Sequence, residues 1–155
     1  MKVRLRAVKR IGSKGTLVIT EESDMATLKI LIVEDNPANM ELATDLLELA
    51  GYEIHQAWNA ETGLQLARTE VPDLILMDVG LPGMDGLQAA EMLQNDAATC
   101  GIGIVVVTAH AMRGDQEKAL ALGCVGYITK PINTRTFTKS ISAFLAKVKG
   151  AESGS

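Results

Sequence analysis

Asp73-Leu-Ile-Leu-Met-Asp-Val79 runs through four successive apolar residues and then stops on an acid. A half-buried strand alternates apolar and polar residues. A run without alternation fits a strand covered on both faces, as in parallel sheets. The same texture recurs to either side. Leu28–Val33 and Ile102–Thr108 are two further buried-type strands, and Tyr52–Trp58 and Val125–Thr129 are two more candidates. Helical spacing fills the intervals. Asn36-Pro37 is a good cap and first-turn pair, after which Met40, Ala43, Leu46, Leu47 and Ala50 recur until Gly51 ends the helix. Asn59 caps a helix carrying Ala60, Leu64, Ala67 and Val71, and a third from about Gly86 carries Leu87, Ala90, Leu93 and Ala97. Asp115–Leu122 is a short fourth helix stopped by Gly123. Asn133 caps a fifth, with Phe137, Ile141, Phe144, Leu145 and Val148 on one face. Five alternating strand–helix units predict an α/β protein, a doubly wound five-stranded parallel sheet with right-handed crossovers.

The composition agrees. The 155 residues are 47% hydrophobic and 22% charged, enough for one compact domain and too apolar for a disordered chain. A net charge of −4 and a pI near 5.2 argue against nucleic acid or an anionic membrane as the main partner. No apolar run approaches the roughly 18 residues of a membrane helix. Cys100 and Cys124 have no zinc spacing and read as free thiols, so a reducing, cytoplasmic setting is expected. Residues 1–24 stand apart, with six basic side chains against three acidic ones. Val3, Leu5 and Ala7 alternate with arginines, Gly12-Ser-Lys-Gly15 is turn-like, and Thr16–Thr20 is β-prone. That stretch reads either as a mobile extension or as a marginal hairpin. The domain proper is expected over 25–150, with 151–155 as a frayed tail.

In doubly wound sheets, chemistry gathers outside the carboxyl ends of the strands. The first strand ends in Glu34-Asp35, the third in Asp78, the fourth in Thr108-Ala109 and the fifth in Thr129-Lys130-Pro131. The second ends in Ala57-Trp58, with nothing reactive. Taken singly, such an acid reads as a helix cap and such a lysine as solvated. Gathered on one rim, they form a site. Three carboxylates beside one ammonium must take up a proton or recruit a cation, and hard oxygen ligands without His or Cys suit Mg²⁺. A divalent ion, a lysine, a hydroxyl and an exposed aspartate fit phosphoryl transfer, with the carboxylate as nucleophile becoming an acyl phosphate. It needs no general base, being ionised at neutral pH. The ion and the lysine neutralise the transferred oxygens. Asp78 is the expected nucleophile, with Glu34 and Asp35 holding the metal or orienting its waters.

Five segments in order carry a resemblance: Ile30-Leu-Ile-Val-Glu-Asp-Asn36, Pro72-Asp-Leu-Ile-Leu-Met-Asp78, Leu81-Pro-Gly-Met-Asp-Gly86, Val106-Val-Thr-Ala109 and Gly126-Tyr-Ile-Thr-Lys-Pro131. From Lys29 to Lys149 the chain resembles the receiver domain of two-component response regulators, in particular the stand-alone, single-domain type, since no output domain follows. The resemblance implies a flavodoxin-like (βα)₅ fold with strand order 2-1-3-4-5. It implies that Asp78 accepts a phosphoryl group from a histidine kinase or histidine phosphotransfer protein. Asp35, Asp78 and the backbone carbonyl of Gly80 would ligate Mg²⁺, with Glu34 acting through a metal-bound water. Lys130 would pair with the phosphate and Thr108 would hydrogen-bond it, while the small Ala109 leaves it approachable. Tyr127 would be the switch aromatic that turns inward when Thr108 moves, and the Lys130–Pro131 bond would be cis. The signal would reach the face around the fourth helix, fifth strand and fifth helix and control a downstream protein. No nucleic-acid partner and no membrane insertion are expected. The only chemistry would be phosphorylation and dephosphorylation of the chain itself.

Two other readings compete. A dehalogenase-like phosphatase also uses a strand-end Asp, Mg²⁺ and Lys, but it needs a second acid two residues after the nucleophile. Gly80 stands there. A phosphate-sink or scaffold receiver without its own output is the other. His110, two residues after Thr108, reads either as an influence on acyl-phosphate hydrolysis or as an ordinary loop histidine, and His55 reads as structural.

Overall fold

The computed structural model describes residues 7–11, 16–20, 27–109 and 113–154, with side-chain surroundings for 27–109 and 114–148. Near the N-terminus, β1 (Ala7–Ile11) pairs antiparallel with β2 (Thr16–Thr20), Ala7 opposite Thr20. The second of these is the β-prone stretch of the hairpin reading; the first begins at Ala7, where the alternating stretch read from Val3 ends. Residues 12–15, turn-like in the sequence reading, together with 1–6, 21–26 and 110–112, His110 among them, lie outside the described residues.

The remaining strands are β3 (Lys29–Val33), β4 (Glu53–Ala57), β5 (Leu74–Asp78), β6 (Gly103–Thr108) and β7 (Gly126–Thr129). They form one sheet in the order β4-β3-β5-β6-β7, every pair parallel. Counted within that sheet, this is the expected 2-1-3-4-5. Helices α1 (Pro37–Leu49), α2 (Ala60–Glu70), α3 (Gly86–Gln94), α4 (Arg113–Ala121) and α5 (Phe137–Gly154) connect and follow the strands.

Side chains alternate faces along each strand, and here both faces are apolar. Leu31, Val33, Ile75, Met77, Ile104 and Val106 belong to one core, with Leu64, Ala67, Ala90 and Leu93 from α2 and α3. Ile30, Ile32, Leu74, Leu76, Val105 and Val107 belong to the other, with Met40, Leu47, Phe137 and Ile141 from α1 and α5. Two covered faces explain runs with no polar alternation. The edge strand β4 is half-exposed, apart from Ala57.

Local signals set most helix boundaries. The Asn36 side chain accepts from the Asn39 amide ahead of Pro37, and Asn59 accepts from Thr62. Several boundaries differ from the sequence reading, two of them for a clear local reason. Val71 is not on the apolar face of α2 but caps it in the left-handed region at φ 45°, 55% exposed. The helix must end there because Pro72 follows and disfavours an α conformation before it. Ala97 lies beyond α3, which ends at Gln94; the buried Thr99 hydroxyl donates to the Leu93 carbonyl at 2.8 Å and folds the chain back under the helix. At the other end of the domain, α5 continues helical to Gly154, through most of the stretch expected to be frayed.

Asp85 opens α3 with a reciprocal cap. Its carboxylate accepts from the start of the helix, Leu87 N at 2.8 Å included, while the Gln88 side chain accepts from the Asp85 amide at 3.2 Å. Asp85→Ala is expected to cost about 1 kcal/mol, the usual loss for an N-cap, read as a lower midpoint in urea unfolding with an unchanged slope.

Candidate functional site

The sheet ladder continues one residue past three of the strands. The Glu34 amide donates to the Ala57 carbonyl at 3.0 Å, Val79 to Val107 at 2.9 Å and Lys130 to Thr108 at 2.7 Å. Those bonds lock the register at the carboxyl ends, and so decide which side chains emerge together there. Glu34, Asp35, Asp78, Val79, Gly80, Thr108, Ala109 and Lys130 all line one open cleft of about 480 Å³, joined by Asn36, Pro37 and Asn39 from the start of α1 and by Asp115 from α4.

Asp78 sits on the floor of this cleft, 4% exposed. Its Oδ1 accepts from the Gly80 amide at 3.0 Å and its Oδ2 accepts from Lys130 Nζ at 3.1 Å. The same ammonium lies 3.1 Å from Glu34 Oε1, while Glu34 Oε2 accepts from the Asn36 amide at 3.1 Å. One lysine thus bridges two buried carboxylates from different strands. Asp35 is exposed, and ligand oxygens of Glu34, Asp35 and Asp78 lie within 4.8 Å of one another. All are hard oxygen donors, so the set suits a small divalent cation such as Mg²⁺ and not a soft transition metal.

The electrostatics follow from that crowding. Burial pushes the Glu34 carboxyl above its ordinary value; the Asn36 amide pulls it down, the Asp78 charge pushes it up again, and Lys130 draws it down. Burial alone would lower Lys130, yet its bonds to Glu34 and Asp78 and their charges together hold it above its ordinary value. A carboxyl with a raised folded value binds more protons than the unfolded chain does between the two values, so its contribution to stability falls as pH rises through that window. Comparing wild type with Glu34→Gln in denaturant titrations without divalent ions isolates this contribution. It is expected to be constant below the ordinary value of 4.5, to decline as pH rises above it, and to level off once Glu34 is ionised. For Lys130 the sign is opposite: its raised value gives stability that is fully present below 10.5 and lost as pH rises through the folded value.

Thr108 is buried, and its hydroxyl reaches Asp115 Oδ2 at 3.5 Å. The Lys130–Pro131 peptide is cis. Tyr127 is not brought into the cleft. It is 38% exposed and lines a separate cavity with Thr129, Pro131, Thr136 and Phe137. His55 lies away from the site, its Nε2 2.7 Å from Glu53. Cys124 is buried, which pushes its thiol up to about 11, and Cys100 is exposed; both are free.

Sequence reasoning missed Asp115 and Gly86. Asp115 stands at the start of a short helix and reads only as a first-turn acid, favourable there in any protein. Gly86 stands where a Cβ would lie 2.1 Å from the Asp78 carbonyl oxygen. It falls inside a quoted motif, but nothing in the one-dimensional pattern says what it avoids.

A central Asp on a doubly wound sheet, flanked by acids and faced by a lysine, is the arrangement of a signalling receiver. Residues 30–142 match the model for the response regulator receiver domain, and the chain belongs to that family, the receivers of two-component signalling. Among its relatives it is 44% identical over 116 residues to the polar-differentiation response regulator DivK of Brucella anthropi, covering 75% of this chain and 94% of that protein. It is 43% identical over 119 residues to DivK of Brucella ovis, covering 77% and 97%. Among solved structures, a CheY-like response regulator receiver domain protein from Methanospirillum hungatei aligns with a TM-score of 0.75 at 30% identity, over 81% of this chain and 99% of that one. The receiver domain of the sensor histidine kinase PA1611 from Pseudomonas aeruginosa, which has a magnesium ion in its active-site cleft, aligns with a TM-score of 0.71 at 29% identity, over 78% and 99%. Among the described residues, no helix is long and apolar enough to cross a membrane.

Proposed function

We propose that this chain is a phospho-accepting switch in which residues 25–150 act as the receiver and Asp78 takes a phosphoryl group from a histidine kinase or histidine phosphotransfer protein. An Asp78 carboxylate oxygen attacks phosphorus, the phosphorus–nitrogen bond of the phosphohistidine breaks, and the departing imidazole nitrogen takes up a proton. One observation carries this reading: the Asp78 carboxylate lies at the base of an open cleft, held by the Gly80 amide and Lys130 Nζ, with acids from a neighbouring strand end beside it. Positioning and charge do most of the work in such transfers.

Asp35, Asp78 and the Gly80 carbonyl would hold Mg²⁺, with Glu34 acting through water. When bound, the ion supplies positive charge beside the transferred oxygens. Lys130 exchanges one carboxylate partner for a phosphoryl oxygen, a charge-assisted bond of the same kind. Thr108 donates its hydroxyl to the phosphoryl group and vacates space beside α4. Ala109 keeps the mouth of the cleft open. Tyr127 then trades its exposed position for a buried one, so that α4, β7 and α5 present a different face to a downstream protein. The chain turns over no metabolite.

Incubation with a small phosphodonor such as phosphoramidate and Mg²⁺ is expected to add one phosphoryl group by intact mass, and chelation of the ion to suppress it. A chain that takes up none under these conditions, or releases phosphate steadily from unrelated monoesters, would overturn the reading.

A further inference from the structure

Among the described residues, four carboxylates line the cleft against a single ammonium: Glu34, Asp35, Asp78 and Asp115 face Lys130. Lys130 is shared between Glu34 and Asp78, and Asp35 lies within the same acidic group. Asp115 is different. It comes from the first turn of α4, and its Oδ2 lies 3.5 Å from the Thr108 hydroxyl. A threonine hydroxyl has one proton. Donated to Asp115, it is unavailable to a phosphoryl oxygen on Asp78; donated to the phosphoryl group, it releases Asp115.

We propose that Asp115 is a positioning residue of the switch: its carboxylate holds the Thr108 hydroxyl toward α4 in the unphosphorylated chain and opposes the arrival of a phosphoryl group. This rests on the reading of Asp78 as the phosphoryl acceptor. Two effects act in the same direction. The hydrogen bond must be broken for Thr108 to turn, and the Asp115 charge faces an incoming group that is itself anionic, in a cleft already rich in acids. The bond is long, so the hold is weak and can be exchanged. A weak hold suits a switch, because a ligand shifts an equilibrium only by its differential affinity for the two states.

Asp115→Asn and Asp115→Ala separate the two effects. Asn keeps an accepting oxygen and a favourable helix start but removes the charge; Ala removes both. In Asp115→Ala the initial rate of labelling by phosphoramidate is expected to rise about two- to tenfold, the range set by the loss of one modest hydrogen bond. The Thr108 amide and methyl resonances should move toward their positions in the phosphorylated wild type. Asp115→Asn should show a smaller rate gain, with Thr108 near its wild-type position. In a Thr108→Ala background the gain from Asp115→Ala should shrink to about that of Asp115→Asn, the charge effect alone, as expected of a coupled pair and not of a helix-start residue acting alone.

An unchanged or slower rate in Asp115→Ala, Thr108 resonances that do not move, or a gain that persists in full without Thr108 would each overturn the proposal. Labelling that survives Asp78→Asn is a separate result. It would sink the assignment of the acceptor, whatever Asp115 does.

Discussion

Asp78→Asn is expected to abolish phosphoryl uptake from phosphoramidate while leaving the chain folded. The amide is nearly isosteric, and its oxygen can still accept from the Gly80 amide, which reaches Oδ1 at 3.0 Å in the wild type. It carries no anionic oxygen to attack phosphorus, so the loss is one of chemistry and not of shape. Stability should move the other way. Asp78 is one of the charges that raises Glu34, and ligand oxygens of the two lie within 4.8 Å. Removing one of two like charges in a buried site relieves repulsion, and Lys130 still has Glu34 at 3.1 Å. Without divalent ions, the variant's thermal midpoint is therefore expected to equal or exceed that of wild type. Intact mass and thermal unfolding of the same samples check both halves. One added phosphoryl group on the variant would place the acceptor elsewhere.

Gly86→Ala is expected to damage fold and site together. An added Cβ would lie 2.1 Å from the Asp78 carbonyl oxygen and 2.8 Å from both its carbonyl carbon and Val79 Cα. These are backbone atoms, so no rotamer change relieves the contact. Either the start of α3 lifts from the sheet or the end of β5 moves, and Asp78 is at that end. Forcing extra volume into a packed contact costs about 1–3 kcal/mol, sometimes more. Labelling at Asp78 should slow as well, because a displacement of about 1 Å can cost on the order of 100-fold in a positioned reaction. Gly101→Ala is the control. Nothing lies within 4 Å of its added Cβ, and an exposed substitution of that kind is expected to stay within about 0.5 kcal/mol of wild type. Equal urea midpoints for the two variants would show that Gly86 is not needed for close approach.

The misses are as informative as the matches. Helical spacing from Ala67 puts Val71 on a helix face, yet it caps α2 in a left-handed conformation. Periodicity counts residues and does not register that a following proline ends the helix. Tyr127 enters through the resemblance as a switch aromatic, and it stands 38% exposed outside the cleft. A motif gives residue identity and order, not the rotamer in one state of a switch. Asp115 carries no site signal in the sequence, because an acid in a first turn has an ordinary explanation.

What the chain by itself determined was the architecture and the rim. Apolar runs without alternation, separated by capped helical stretches, admit a parallel sheet covered on both faces, and that sheet obliges the strand-end residues Glu34, Asp35, Asp78, Thr108 and Lys130 to share one edge. Tertiary structure alone decided who touches whom on that edge. Lys130 bridges Glu34 and Asp78, Asp115 crosses to Thr108, and Gly86 passes against the backbone of Asp78. The physical reason is range. Hydrophobic periodicity and capping act over a few residues, whereas an ion pair spanning 96 positions of sequence exists only after register and packing have brought its partners within bonding distance.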